Sequence, residues 1–284
     1  MYRLIAPVIG LFFALSVLAA FVSGAYNAIT EPAQPTAEKL FHRAPKELKL
    51  QSDGWAGTFD RPQVQRGYQI YKEVCKACHS LKYVAFRDLE ELGYTPDQVK
   101  AEAASWQVPG IDPNTGEANM RPGLPTDYFP SPFANDTAAR AANNNAVPPD
   151  LSLMAKARHE GPAYIYSLMT GFASQDGYKN DKGQELLKLF PDAKTPQGLH
   201  FNPYFANLNL AMPPPLANGT VTFADGSPND LDSEAKDVAA FLVWTAEPNL
   251  EKRHQTGWWF ILFLFFATGL GYCAYRNVWA DKKH

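Results

Sequence analysis

Apolar and polar positions divide this 284-residue chain into three stretches. Its two ends are continuously apolar: LIAPVIGLFFALSVLAAFVSGA from Leu4 to Ala25, and GWWFILFLFFATGLGYCAY from Gly257 to Tyr275. A buried helix in a soluble domain normally keeps one polar face. The second run has none and carries no charge. Trp258 and Trp259 open it, and Tyr272, Tyr275 and Trp279 close it, like the aromatic belts of a membrane span. A transmembrane helix is therefore predicted over 256–276, followed by a tail at 277–284. Arg276, Lys282 and Lys283 follow the run, and Lys252 and Arg253 precede it; this small bias favours a cytoplasmic tail. The first run follows Arg3 and reaches small residues at Ser23 and Ala25. Residues 1–25 thus read either as a signal peptide removed on export or as an uncleaved apolar segment long enough to span. Both readings export residues 26–255.

Periodicity within 26–255 is helical where it exists. Residues 26–60 show no sustained period and read as extended coil. VQRGYQIYKEVCKA, residues 64–77, places Val64, Tyr68, Ile70, Tyr71 and Val74 on one helical face. Residues 106–149 are dense in Pro, Gly, Asn and Asp and read as loop. Helix is predicted to resume with Asp150 as N-cap and Leu151, Met154, Ala155 and Arg158 at helical spacing, to break at Gly161-Pro162, and to run on to Phe172. Residues 173–232 read as loop apart from ELLKLF at 185–190. A last helix is expected from Ser233 as N-cap, with Val238, Phe241, Leu242 and Thr245 on its stripe. No β-alternation stands out. The expectation is a mainly α domain with long loops plus one C-terminal transmembrane helix.

Long loops need something to fold onto, and the cysteines suggest what. The chain has only Cys75, Cys78 and Cys273. Cys273 lies in the second apolar run, where packing is the default reading. Cys75, Cys78 and His79 form C-x-x-C-H. A zinc site would need two further ligands at similar spacing, and a redox dithiol would need a βαβ context that is missing. A histidine directly after the second cysteine is the signature of one covalently attached haem c, with His79 on the iron. The iron's other face is open to several candidates: His42, His159, His200 and His254, or Met120, Met154, Met169 and Met212. Met154 and Met169 lie on apolar stripes. Met212 stands in NLAMPPPL, directly before Pro213, Pro214 and Pro215, which stiffen the backbone. Met212 is the favoured ligand. Met/His ligation raises the potential and closes the iron, which points to electron transfer.

At this point the chain resembles the cytochrome c1 family, the haem-bearing subunits of cytochrome bc1 (ubiquinol–cytochrome c oxidoreductase) complexes. The resemblance rests on GYQIYKEVCKACHSLKYVAFRDL (67–89), MRPGLPTDYFPSPFAN (120–135), AARAANNNAVPPDLSLMAKARHEGPAYIYSLMTGF (138–172), GLHFNPYFANLNLAMPPPL (198–216) and DVAAFLVWTAEP (237–248) before the membrane helix. It implies haem attachment at Cys75 and Cys78 and ligation by His79 and Met212. It also implies Arg158 and Tyr164 near the propionates, with Asn143 close by and Pro148 and Pro149 lining the haem edge. Arg158 is otherwise an ordinary solvated charge. The resemblance further implies cytochrome b, a Rieske iron–sulfur protein and an acceptor cytochrome c as partners in a dimeric complex. The haem domain would lie on the periplasmic side of a bacterial inner membrane, in contact with lipid. Such a subunit has no substrate chemistry of its own. The stretch 173–197 is longer than in mitochondrial members, as in alphaproteobacterial ones, and holds no cysteine. Another device must order it.

Composition changes the picture little. Apolar residues make up 46% and charged residues 19%, so a core can be buried, and a net charge of −3 argues against nucleic-acid binding. Asp225, Asp230, Asp232, Glu234 and Asp237 crowd one segment with only Lys236. That run is either a docking patch for a basic partner or a solvated loop and helix start. Other readings of the whole chain are a terminal-oxidase subunit or, from another class, an open-site haem enzyme or sensor.

Overall fold

A computed structural model describes residues 2–31 and 34–282. Met1 of the first apolar segment, Pro32 and Ala33 of the expected coil, and Lys283 and His284 of the expected tail lie outside the described residues. The first helix, α1, spans Tyr2–Thr30. The apolar run therefore stays helical past Ala25, where coil was expected, because no Gly or Pro intervenes between Ala25 and Thr30. A short α2, Ala37–Phe41, interrupts the coil again, with Thr36 as N-cap accepting the Lys39 N–H.

The next helix, α3, is Arg61–Glu73. Asp60 caps it and Pro62 sits in its first turn, where a missing N–H costs nothing. Val64, Tyr68, Ile70 and Tyr71 are buried on the face expected for them. Residues Cys75–Ala77 then form one turn of 3-10 helix. A second 3-10 stretch, Phe86–Leu92, leads to α4, Pro96–Ala104, whose capping box joins Thr95 and Gln98.

The stretch read as loop from 106 to 149 holds regular structure. Strands β1 (Gln107–Ile111) and β2 (Ala118–Pro122) pair antiparallel, Pro109 facing Met120. The turn between them is an Asx turn: Asp112 accepts the N–H groups of Asn114 and Thr115, and Gly116 adopts φ +74°. Helix α5 follows at Asp136–Ala142, capped by Asn135.

Beyond it the predicted 150–158 helix shrinks to α6, Met154–Ala157. Asp150 is not its N-cap, because its carboxylate is taken by Ser80, the Lys82 N–H and the Ser152 N–H. Helix α7 is Gly161–Met169 and ends before Phe172, at Thr170. The close approach of Gly161 to α6 forbids a side chain, since a Cβ there would meet the Ala155 carbonyl oxygen at 1.9 Å.

The long segment after α7 contains α8 (Leu186–Leu189) and a two-residue ladder of β3 (His200–Phe201) with β4 (Asn209–Leu210). Its ordering device is a small second core. Phe41 of α2 packs with Leu186, Phe201 and Leu208, its ring edge-on to Phe190 at 6.2 Å. Gln175 adds a polar brace, donating to the Ala193 carbonyl and accepting the Thr195 N–H.

Helix α9, Leu231–Ala246, starts two residues before the expected Ser233. Asp230 is the N-cap and accepts the N–H groups of Asp232 and Ser233, while the Ser233 hydroxyl donates to the same carboxylate. The main core lies where α9 crosses α3. Gly67 makes the crossing possible: a Cβ there would meet the Asp237 carbonyl oxygen at 2.1 Å and the Phe241 Cβ at 2.6 Å. Phe241 packs on Tyr68 and Tyr71, and Phe129 links Tyr71 to Phe86 and Trp106.

Helix α10 runs unbroken from Leu250 to Trp279. At 1.5 Å per residue it is about 45 Å long, more than the hydrocarbon thickness of a bilayer. Its apolar part is exposed within this chain and anchors the protein in a membrane. Its first turns belong to the domain: Glu251 accepts both arms of Arg61 at 2.7 Å and the Phe59 N–H at 2.7 Å. Cys273 is a free, exposed thiol on this helix.

Candidate functional site

The C-x-x-C-H motif sits where α3 ends. Val74 closes the helix through the Ile70 carbonyl, and the chain tightens so that Cys78 and His79 both donate their N–H groups to the Cys75 carbonyl. Both thiols therefore ride on one turn, and neither is in a disulfide. Cys75 packs against the main core; burial, with Cys78 adding, pushes its pKa up to about 12. Cys78 faces solvent. Lys76, a bare spacer by its sequence position, lies over the Trp106 ring at 4.3 Å and helps hold the turn against the core.

His79 is held from the far side of the motif. Its Nδ1 lies 2.8 Å from the Pro149 carbonyl oxygen, 70 residues along the chain. A carbonyl can only accept, so Nδ1 carries the proton and Nε2 keeps its lone pair. Burial lowers the pKa of His79 and favours the neutral ring, opposed by the Pro149 carbonyl and by Asp150. The Tyr71 hydroxyl donates to the His79 carbonyl at 3.1 Å and fixes the backbone beneath it.

Residues 79–83 and 149–152 are laced together. Ser80 donates to Asp150 at 2.7 Å, Lys82 N–H donates to the same oxygen at 2.9 Å, and Leu151 N–H returns to the Ser80 carbonyl. Tyr83 N–H reaches the Ser152 hydroxyl. Burial alone would raise the pKa of Asp150, but these donors from Lys82, Ser80 and Ser152 hold it below the usual carboxylate value. Helical spacing makes Asp150 look like a cap and hides this role. The Asp-x-Ser pattern at 150–152, a local Asx signature, is the available signal.

The other predicted residues are distributed as follows. Met120 is exposed on β2, and Met154 and Met169 pack against the main core. Met212 is half-buried two residues beyond β4. The proline run after it leads without regular structure to Leu216, which is buried in the main core. Arg158, exposed after α6, donates to the Ala157 carbonyl at 3.2 Å, and its guanidinium lies near Tyr164 of α7. Burial raises the Tyr164 pKa while the guanidinium works against it. Asn143, at the end of α5, donates to its own helix at the Ala139 carbonyl. The structure thus joins Cys75, Cys78 and His79 on one turn and sets Arg158 near Tyr164. It sets Asn143 and Met212 on separate elements. His42 and His159 are exposed, and the His254 Nδ1 donates to the Gly57 carbonyl.

The acidic run is divided: Asp225, Asp230 and Asp232 are exposed, and Glu234 and Asp237 are buried. Asp237, 3% exposed, binds Arg66 by two bonds of 2.6 and 3.1 Å. Glu234, fully buried, accepts the Val221 N–H. Asp230 caps α9, and Asp232 accepts from the Tyr166 hydroxyl and Lys236.

The donor set fits a thioether-linked haem. Two unpaired thiols share one turn, and a neutral imidazole beside them keeps one nitrogen free. Among the described residues, no three His, Cys, Asp or Glu side chains gather into an alternative metal site. A mainly helical domain with this turn, tethered by an apolar helix, has the build of a membrane-anchored c-type cytochrome.

The comparisons narrow the class. The model of the Cytochrome C1 family matches residues 50–282. Cytochrome c1 of Rhodospirillum rubrum is 43% identical over 249 residues, 84% of this chain and 89% of that protein. A mitochondrial cytochrome c1 heme protein of Arabidopsis thaliana is 38% identical over 253 residues, 88% of this chain and 77% of its own. A Bradyrhizobium diazoefficiens cytochrome b/c1 is 44% identical over 80% of this chain, which spans only 34% of that longer relative. This chain belongs to the cytochrome c1 family, and its work is electron transfer.

Proposed function

We propose that this chain takes one electron from a Rieske iron–sulfur protein and passes it to an acceptor cytochrome c, as the haem-bearing subunit of a dimeric cytochrome bc1 complex with cytochrome b. Haem c, when bound, supplies a one-electron redox centre of raised potential. The Cys75 and Cys78 thiols would hold it, His79 Nε2 and the Met212 thioether would ligate its iron, and Arg158, Tyr164 and Asn143 would meet its propionates. Residues 26–255 would form the periplasmic domain. Residues 256–276 would cross the bacterial inner membrane and 277–284 would end in the cytoplasm. Residues 1–25 would serve export.

The observation that carries this reading is the His79–Pro149 hydrogen bond. It sets the tautomer, aims one lone pair and makes the imidazole a stronger donor. A surface histidine needs no such partner. The labour then divides among the residues of the chain. Cys75 and Cys78 would anchor, Pro149 orients His79, the 79–83/149–152 lacing fixes the position of the Pro149 carbonyl, and the rigid prolines would hold a weak thioether in place.

Met212→Leu in the membrane-inserted complex tests the ligand set. The expected result is haem still attached, a lowered midpoint potential and lost quinol–cytochrome c turnover. An unchanged potential and ferrous spectrum would remove Met212 from the iron. Ready carbon monoxide binding by the unaltered reduced protein would instead reveal an open site and overturn the electron-transfer reading.

A further inference from the structure

Residues 50–58 form a tight turn that presents Trp55 at its tip. Asp53 N–H donates to the Leu50 carbonyl, Thr58 N–H to the Gln51 carbonyl, and the Asp53 carboxylate takes the Leu50 N–H. Gly54 adopts φ +79°, and a Cβ on Gly57 would meet the Ser52 carbonyl oxygen at 2.1 Å. The turn is built closely, yet its indole is 72% exposed. Trp is among the side chains that most benefit from burial, so this exposure requires an explanation.

The explanation lies in its neighbour. The Trp55 ring meets the Trp258 ring edge-on, with centroids 4.7 Å apart. The two are held in register by the His254–Gly57 hydrogen bond of 3.1 Å and by the Glu251 fork on Arg61 and Phe59 N–H. Trp258 stands at the start of the apolar part of α10. Trp279 lies 21 residues beyond Trp258 along unbroken helix, about 32 Å at 1.5 Å per residue, which matches the hydrocarbon core of a bilayer. Trp258 is thereby fixed at one membrane–water boundary, and a ring touching it lies at the same level. Indoles partition to that boundary, with the ring among acyl chain ends and the N–H among headgroups.

We propose that the 50–58 turn is a second foot on the membrane: Trp55 enters the lipid interface beside α10 and, with Trp258, fixes the tilt of the domain over the bilayer. One helix alone leaves a domain free to swivel and tip; two contacts held together by Glu251 and His254 do not. The occupant is lipid, because the turn is continuous with the lipid-facing surface of the span. The inference rests on α10 crossing the membrane and is independent of the haem ligand set.

The test uses the full chain in its complex, in vesicles of phosphatidylcholine and phosphatidylglycerol, with Cys273→Ala to remove the free thiol. A nitroxide is placed on Ala56→Cys, on Thr58→Cys in the same turn, and on Ile111→Cys in the exposed β1–β2 hairpin as the aqueous reference. Collision with oxygen is compared with collision with a water-soluble nickel chelate. Labels at 56 and 58 are expected to shift toward oxygen and away from nickel relative to 111. Trp55→Ser should abolish the shift, and Trp55→Tyr, which keeps an interfacial ring, should retain it. Equal ratios at all three labels would overturn the proposal. So would exclusion of both colliders at 56 and 58, which would put a protein partner over Trp55. A label on Thr268→Cys that read water would overturn the membrane span itself, and the foot with it.

Discussion

Asp237 and Glu234 lie about one turn apart on α9, both buried, and burial treats them differently. Asp237 has a cation: its two bonds to Arg66 form a nearly closed pair, with Arg66 only partly exposed. Removing one partner strands the other charge, so Asp237→Ala should lower unfolding free energy by roughly 3 kcal/mol, the low end for a buried pair because Arg66 keeps some water. Chemical denaturation of the haem-loaded protein reads this directly; a loss within error of zero would show that the pair contributes nothing. Glu234 has no cation: burial raises its pKa, and the Val221 N–H and Thr220 offset that only in part. The folded state therefore holds this proton more tightly than the unfolded chain does. Between the ordinary glutamate value and the raised one, Glu234 makes stability fall as pH rises. Glu234→Gln removes that slope. Its stability relative to the parent should improve as pH rises from about 4 toward neutrality, and parallel curves would contradict the burial argument.

Helices α3 and α9 depend on one another through a single missing side chain. Gly67→Ala would drive a Cβ into the α9 backbone, and the helices would have to part. A loss of roughly 3 kcal/mol is expected, the upper part of the range for overpacking, seen as a lower melting temperature with haem content unchanged. Both helices are legible in the sequence because their apolar stripes are long and amphipathic. Elements without a stripe are not legible. The β1–β2 hairpin carries Pro109 inside a strand and buries little besides Val108, so no alternation marks it. The 150–158 segment has a helical pattern, yet the Asp150 carboxylate bridges to Ser80 and Lys82 instead of capping α6. Ser233 looks like a cap because nothing local says that Asp230, three residues earlier, competes better. The haem turn is legible from spacing alone, whereas its support from Pro149 is a contact across the fold. The acidic run is legible only as charge: that Arg66 pairs with Asp237 and Tyr166 with Asp232, while Asp225 stays exposed, depends on contacts across the fold.

Seen whole, the molecule is a domain bound to the first turns of its own anchor. Cutting after Thr256 should release a domain that keeps Glu251 on Arg61 and the Phe59 N–H. Cutting after Asn249 removes that acceptor. The shorter form should melt at a lower temperature, and equal melting would show that the fork is ornamental. The same long reach appears at the other end of the site. The turn that ends at His79 is complete early in the chain, but the carbonyl that sets its ring comes 70 residues later, and Met212 later still. On the ligand set and topology proposed above, a chain crossing a membrane from its N-terminus would present its two thiols first and its finished ligands last. Attachment can precede tuning, and a haem joined to a stalled or misfolded chain would carry a different potential from the native one. With Met212 as the proposed ligand, the redox potential of this protein would be a record of whether the chain has finished folding.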